Sequence, residues 1–170
     1  MKVLALTFAL LTLPAAAHAG QRIFSYDPAD AATRARIDNG LTFVFDKGLF
    51  SMRVKELFST QAAASAFVEP VSDRELGAPL NRIVPPDGAT ELYRISDREQ
   101  GPGMVRAFCP GSTTGWMVFS PMRARSPLTI HVLGDDAATG KAKLCTTLRL
   151  TYRGEWAPPP QYRNTPRGPL

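Results

Sequence analysis

The sequence predicts an α+β fold in which an N-terminal helix packs on a mainly antiparallel, twisted β-sheet. Three observations support this prediction. Apolar residues make up 44% of the 170 residues and charged residues 21%, which is typical of a globular protein. One segment near the N terminus carries helix start and stop signals. Beyond it, much of the chain alternates between apolar and polar residues with the period of two that characterises strands.

The first 19 residues have the pattern of a secretory signal peptide. Lys2 precedes the apolar run from Val3 to Leu13, Pro14 ends that run, and Ala17-His18-Ala19 forms a small-x-small cleavage motif. We therefore expect cleavage between Ala19 and Gly20, and a periplasmic or secreted protein. A buried N-terminal helix is the alternative interpretation of this segment.

The predicted elements begin with a short strand from Arg22 to Tyr26, followed by a helix over residues 28–39. Asp27 stands at the predicted N-cap and Pro28 at the first helical position, which proline favours. Gly40 can end the helix in a left-handed conformation.

Strands account for most of the remaining predicted structure. The alanines of the predicted strand Ala62–Val68 are also compatible with a helix. Apart from the predicted strand Glu91–Ile95, residues 70–103 are irregular, with a capping box at Ser72–Glu75 that favours one helical turn. The segment Trp116–Phe119 is apolar on both faces, so we expect it at the centre of a sheet. The predicted strands are Leu41–Phe45, Phe50–Val54, Ala62–Val68, Glu91–Ile95, Met104–Cys109, Trp116–Ser120, Leu128–Leu133 and Leu144–Tyr152.

The sequence divides into a signal peptide at 1–19, one β-rich domain at 20–156 and a tail at 157–170. The tail opens with Pro158-Pro159-Pro160, carries Arg163 and Arg167, and has few large apolar residues. Such a composition offsets little of the entropy of ordering, so we expect the tail to be disordered and dispensable for folding.

Cys109 and Cys145 are the chain's two cysteines. Export to an oxidising compartment permits a disulfide between them, which we expect to join two strands. Two separate buried thiols are the alternative. The run from Cys109 to Ser112 has the C-x-x-S form of a redox site, but the predicted turn and strand after it lack the helix N terminus that stabilises a thiolate.

The sequence gives little support for a metal site or a nucleotide-binding site, and we expect no cofactor. The chain after Ala19 has one histidine and two cysteines, fewer than a zinc site needs. Asp135 and Asp136, with Asp46 or Glu155, could supply oxygen ligands to calcium, but their loop lacks the alternating ligands of an EF-hand. The loop Gly134–Lys141 fails as a phosphate-binding loop because its glycine spacing is too long and it carries two acids.

The candidate catalytic residue is His131, which could act with Ser112 and an acid. Ser112 has no nucleophile elbow around it, and a lone histidine on the polar face of a strand is typically a surface residue. The sequence does not test whether two carboxylates are paired for hydrolysis of a glycosidic bond, because their spacing in sequence does not give their spacing in space.

The net charge of +5 invites a nucleic-acid partner, but the basic residues are dispersed and export argues against that partner. We therefore expect an exported envelope protein that is a non-catalytic binding or structural module. Its expected partner is an envelope protein or an anionic envelope polymer, with no membrane-spanning segment after processing. A hydrolase that uses His131 with an acid or hydroxyl partner is the alternative.

Overall fold

The protein is an eight-stranded antiparallel β-barrel. A computed structural model describes residues 20–47, 52–59, 64–123 and 125–156. Each strand pairs with the next along the chain, and the first strand pairs with the last, which closes the barrel. The strands are β1 Gly20–Pro28, β2 Leu41–Lys47, β3 Met52–Ser59, β4 Ala64–Pro70, β5 Glu91–Ile95, β6 Gly115–Phe119, β7 Leu128–Asp135 and β8 Ala142–Trp156.

The helix-on-sheet prediction is therefore wrong. The helix α1 spans only Ala31–Ile37, which is too short to cover a sheet, and the second helix, α2, spans Gly101–Phe108. The sheet instead buries its apolar face by curling until β1 meets β8. Alternation within a strand shows that one face is buried, but not which distant strand completes the sheet.

Aromatic side chains fill the barrel interior. Eight strands enclose a space just wide enough for side chains, and here six aromatic rings from the strands, each at most 3% exposed, pack there with aliphatic neighbours and with Phe108 of the second helix. Several of the rings meet edge to face, as Tyr26 and Phe43 do at a centroid distance of 5.9 Å. The six rings are Phe24, Tyr26, Phe43, Phe45, Tyr93 and Phe119.

Both helices lie at the same end of the barrel. Successive strands run in opposite directions, so β1 and β5, which precede the two helices, end on the same side. The α1 helix begins at Asp30, whose carboxylate accepts a hydrogen bond of 2.7 Å from the Thr33 N–H, so the predicted N-cap at Asp27 is wrong. Asp27 and Pro28 belong to β1. Ile37 reaches the interior cluster from α1, so this helix helps to close the barrel.

The predicted strand Met104–Cys109 is helical, and it forms most of α2. Its buried residues, Gly101, Met104, Val105 and Phe108, recur at the i, i+3, i+4 and i+7 spacing of a helix face. Pro102 lies in the first turn, where proline is tolerated. The predicted strand began at Met104, so it left out Gly101, the residue that completes the helical spacing.

The disulfide between Cys109 and Cys145 is confirmed, with a Cα–Cα distance of 5.4 Å. It joins the C-cap of α2 to β8, not two strands as predicted. Cys145 is the extra residue of a β-bulge, because Val132 pairs with Thr146 whereas Leu133 pairs with Leu144. The bulge shifts the alternation of β8 and allows Cys145 to pack against the interior cluster.

Residues 71–90, which we call the strap, cover the outer face of β5, β6 and β7. The strap contains two short 3-10 helices, Asp73–Leu76 and Leu80–Arg82, the first at the predicted capping box. Its apolar residues form a second cluster with the barrel exterior, which explains why β6 is buried on both faces, as its sequence predicted. The buried members are Leu76, Val84, Ala89, Leu92, Trp116, Val118, Leu133 and Ala142.

Two predictions concern residues outside the described ranges, namely the signal peptide at 1–19 and the tail at 157–170. The expected cleavage between Ala19 and Gly20 stays a prediction. Within the described ranges, none of the helices has the length and apolar character that crossing a bilayer requires.

Candidate functional site

His131 lies on the outer side of β7, beneath the strap, and is 1% exposed. The sequence placed it correctly on the face of Thr129, opposite the interior residues Ile130 and Val132. The expectation that it would be a surface residue is wrong, because the strap buries this side of β7. A histidine that is buried must satisfy both ring nitrogens within the protein.

Both ring nitrogens of His131 have hydrogen-bond partners. Nε2 lies 2.8 Å from a carboxylate oxygen of Asp87, and Nδ1 lies 2.9 Å from the Thr147 hydroxyl. Asp87 belongs to the strap, whereas Thr147 belongs to the neighbouring strand β8 and is the register partner of His131. The histidine therefore connects the strap to two strands of the barrel.

Asp87 is held in place by more than the histidine. Its Oδ1 accepts a hydrogen bond of 3.2 Å from the Ala89 N–H. Partial burial alone would raise the pKa of Asp87, but the Ala89 N–H and the His131 ring together hold the pKa below its usual value. Asp87 therefore favours its ionised form, which matches a histidine that donates from Nε2.

Asp87, His131 and Thr147 combine an acid, a histidine and a hydroxyl, but their geometry fixes the strap to the barrel. We call these three residues the histidine clamp. A base that activates a nucleophile needs the substrate beside the hydroxyl and an oriented third group. Here the ring is sealed, and a substrate at Nε2 would have to displace Asp87. The described site thus ties the strap to the barrel and leaves no ring nitrogen free for a reaction.

Sequence reasoning missed Asp87 and Thr147. Asp87 lies in Pro85-Pro86-Asp87-Gly88, where the only signal is that of a turn. Thr147 shares a face with Arg149 in an ordinary strand pattern. Neither residue could be joined to His131 without knowing that the strap folds back over β7.

Ser112, the hydroxyl considered for His131, lies elsewhere. It is 3% exposed, and its hydroxyl donates to the Asp135 carbonyl oxygen at 2.8 Å. The Ser112 side chain and Cys109 pack against Gly134, where an added Cβ would lie 2.9 Å from the Cβ of Cys109. Glycine is therefore required in β7 where the turn after α2 packs on it.

The two acids considered for calcium stabilise turns. The Asp135 carboxylate accepts hydrogen bonds from the backbone N–H groups of Thr113 and Thr114, at 2.7 and 2.6 Å. Asp136 accepts from the Ala138 and Thr139 N–H groups and from Lys143 Nζ at 3.1 Å. Asp46 pairs with Lys55, and Glu155 pairs with Arg22. Within the described ranges, no group of three or more acids, histidines or cysteines could hold a metal ion.

A small cavity of about 100 Å³ lies between the end of β5, the start of α2 and the turn at Thr113–Thr114. Arg94, Ser96 and Asp97 contribute polar groups to its lining. Pockets that enclose a small organic ligand have volumes of roughly 300–1,000 Å³. This cavity therefore suits a few water molecules and no such ligand.

The outer face of β8 and β1–β4 carries a second notable arrangement. Five residues are register partners from strand to strand and form one line across the barrel, which we call the outer row. Four of them are apolar and one is acidic. The outer row is Trp156, Ile23, Val44, Glu56 and Phe67.

The apolar members of the outer row belong to neither of the two apolar clusters. Trp156 is 58% exposed, and it is one of two large hydrophobic residues that stand out as exposed in the described chain. Beside the row lie Phe58 and two hydroxyls, those of Ser25 and Thr42, which are 3.0 Å apart. Aromatic residues such as Trp156 and Phe67 are enriched at protein-binding surfaces.

No family model, no curated protein and no solved structure matches the chain. The function must therefore be argued from the residues themselves.

Proposed function

We propose that the chain is an exported, non-catalytic binding module of the cell envelope, and that it binds a protein partner through the outer row. The single observation that carries this proposal is the alignment of four apolar side chains across five strands, outside both apolar clusters. Trp156 is exposed and Ile23 and Phe67 are partly exposed, and apolar surface of this kind marks interaction sites in soluble proteins.

The rest of the barrel supports a binding role because its other features serve stability. Side chains fill the interior, the strap closes the second outer face, and both nitrogens of His131 hold the strap. The disulfide is consistent with the export that the N-terminal sequence predicts.

Between the two expected partners, the outer row favours a protein over an anionic polymer. Four of its five members are apolar and none is cationic, so it offers no positive charge to an anionic chain. The apolar side chains instead complement a protein segment that carries apolar residues of its own.

Co-purification from the envelope fraction tests the proposal with the full exported chain. We expect a defined species to accompany the wild type and the control Leu144→Ser, because Leu144 is 39% exposed but lies outside the outer row. Phe58→Ser/Phe67→Ser should lose that species while keeping its thermal unfolding midpoint within a few degrees. A species retained equally by all three chains would contradict the proposal.

The alternative is an exported hydrolase, and one observation favours it. The Thr147 hydroxyl is within hydrogen-bond reach of His131, and an acid contacts the same ring. If this were a catalytic set, Thr147→Val would abolish hydrolysis of an ester or peptide substrate. The clamp interpretation predicts a loss of stability with no activity to lose.

A further inference from the structure

We propose that Cys145 is a thiol–disulfide exchange site, the sulfur at which an external disulfide forms the Cys109–Cys145 bond and at which an external dithiol breaks it. Cys109 is the resolving sulfur, which reacts only with Cys145. This exchange site is separate from the outer row, because Cys145 lies toward the opposite end of β8 from Trp156.

The two cysteines differ in access. Cys109 is 1% exposed and belongs to the interior cluster, and it packs so closely on β7 that a Cβ added at Gly134 would lie 2.9 Å from the Cβ of Cys109. Cys145 is partly exposed, because the bulge places it at the margin of that cluster.

The direction of attack turns this difference in access into a difference in reactivity. A thiolate attacks a disulfide sulfur in line with the S–S bond, from the side away from the sulfur that leaves. Such an attacker reaches Cys145 from solvent, whereas it would reach Cys109 only through the packed residues that bury it. Exchange therefore begins at Cys145.

The C-x-x-S pattern from Cys109 to Ser112 points to the other cysteine, but its surroundings do not suit a reactive thiolate. A redox motif of this form places its cysteine at a helix N terminus, whereas Cys109 is the C-cap of α2. The Ser112 hydroxyl donates to the Asp135 carbonyl oxygen at 2.8 Å, so it serves the turn after α2.

Formation of the bond takes two steps. The Cys145 thiolate attacks one sulfur of the external disulfide, which forms a mixed disulfide at Cys145 and releases the other external sulfur as a thiolate. The Cys109 thiolate then attacks the Cys145 sulfur, which closes the bond and releases the second external thiolate. The two cysteine thiols lose two electrons and two protons, and the external disulfide gains them and becomes a dithiol. Reduction retraces these steps through the same mixed disulfide.

The surface beside Cys145 favours a protein as the carrier of the external disulfide. Leu144, the preceding residue, is 39% exposed and is one of two large hydrophobic residues that stand out as exposed in the described chain. An exposed apolar side chain next to a reactive sulfur gives a thiol–disulfide oxidoreductase an apolar contact that a small disulfide does not use.

Single-cysteine variants of the full chain test which sulfur exchanges. Cys109→Ser leaves Cys145, Cys145→Ser leaves Cys109, and oxidised glutathione is the external disulfide. In native buffer the mixed disulfide should form at Cys145 at least about tenfold faster than at Cys109, and in denaturant the two rates should be similar. Equal rates in native buffer from two folded variants, or a faster reaction at Cys109, would overturn the proposal.

The oxidised wild type gives a second test that does not depend on how the variants fold. After brief exposure to reduced glutathione and an acid quench, peptide mass mapping should find the glutathione adduct on Cys145 in at least about tenfold excess over Cys109. An adduct on Cys109 in equal or greater amount, or no adduct on the folded chain, would overturn the proposal as well.

Leu144→Ser, made in the Cys109→Ser chain, distinguishes the two sources of the external disulfide. It should slow the reaction of Cys145 with an oxidised protein of the thiol–disulfide oxidoreductase class several-fold and leave the rate with oxidised glutathione unchanged. Trp156→Ser is the matched control, because it removes the other exposed hydrophobic residue and should change neither rate. If Leu144→Ser leaves the rate with the protein oxidant unchanged, the role of a protein carrier is wrong.

Discussion

The barrel has two outer faces that carry apolar side chains, and they differ in what covers them. On β5, β6 and β7, the strap packs over Trp116, Val118 and Leu133, and a buried hydrogen-bonded histidine holds it there. On β8 and β1–β4, the outer row belongs to neither apolar cluster and ends in the exposed Trp156. Similar residue types thus join an apolar cluster with the strap on one face and lie outside both clusters on the other.

Truncating a large side chain on each face should give the largest contrast. Leu133→Ala removes a fully buried side chain beneath the strap and should cost about 2–5 kcal/mol of unfolding free energy. Phe67→Ala on the outer row should cost about 1 kcal/mol, because that side chain is only partly buried. Denaturant unfolding of both variants measures the difference, and equal costs would remove the distinction between the faces.

Removing the disulfide should weaken the barrel as a whole and leave the contrast between the faces intact. Cys109→Ala/Cys145→Ala removes the covalent link between two positions 36 residues apart. The free energy of unfolding should fall by about 2–4 kcal/mol. Hydrogen exchange should then quicken in α2 and β8, while the strap stays protected relative to them. A strap that opens first would mean that the disulfide, and not the histidine clamp, governs its attachment.

Acid should loosen the strap before the outer row responds. The pKa of Asp87 is lower in the folded protein than its unfolded value, so its contribution is fully present above roughly pH 4. That contribution is lost as the pH falls through the folded value. Asp87→Asn should flatten the pH dependence of strap protection below about pH 4, as measured by amide hydrogen exchange of the strap relative to the wild type. An unchanged profile would show that Asp87 does not anchor the strap.

Replacing Trp116 should have the smallest effect on stability and make the outer row easier to observe. Within the described residues, the Trp116 indole N–H has no hydrogen-bond partner although it is buried. Trp116→Phe removes that unsatisfied donor, so the unfolding free energy should change by less than about 1 kcal/mol. The remaining tryptophan, Trp156, should show red-shifted emission that acrylamide quenches. Blue-shifted, unquenched emission would indicate that the outer row is already buried.

Local patterns in the sequence predicted local structure well. Glu91–Ile95 was predicted with its observed bounds, the capping box at Ser72 marks a 3-10 helix, and the alternation near Leu41 marks β2. The cysteine pair was also correct, because two cysteines can form only one intramolecular disulfide. Each of these inferences depends on residues that are close in sequence or unique in type.

The remaining features depend on long-range packing. Closure between β1 and β8 brings residues more than 100 positions apart together, and no pattern within either strand specifies it. The α2 helix was missed because Val105 and Phe108 fit a strand until Gly101 is included in the period. His131 was placed on the correct face, but its burial and its contact with Asp87 arise from the strap, which has no periodicity to predict its path.

Site-specific photo-crosslinking in whole cells tests most directly whether the two outer faces differ in role. A photoreactive phenylalanine would replace Phe67 on the outer row in one full-length chain and Arg74, which is exposed on the strap, in another. Our account predicts a discrete intermolecular adduct from position 67 and none from position 74. An adduct from position 74 alone, or equal adducts from both positions, would contradict the assignment of binding to the outer row.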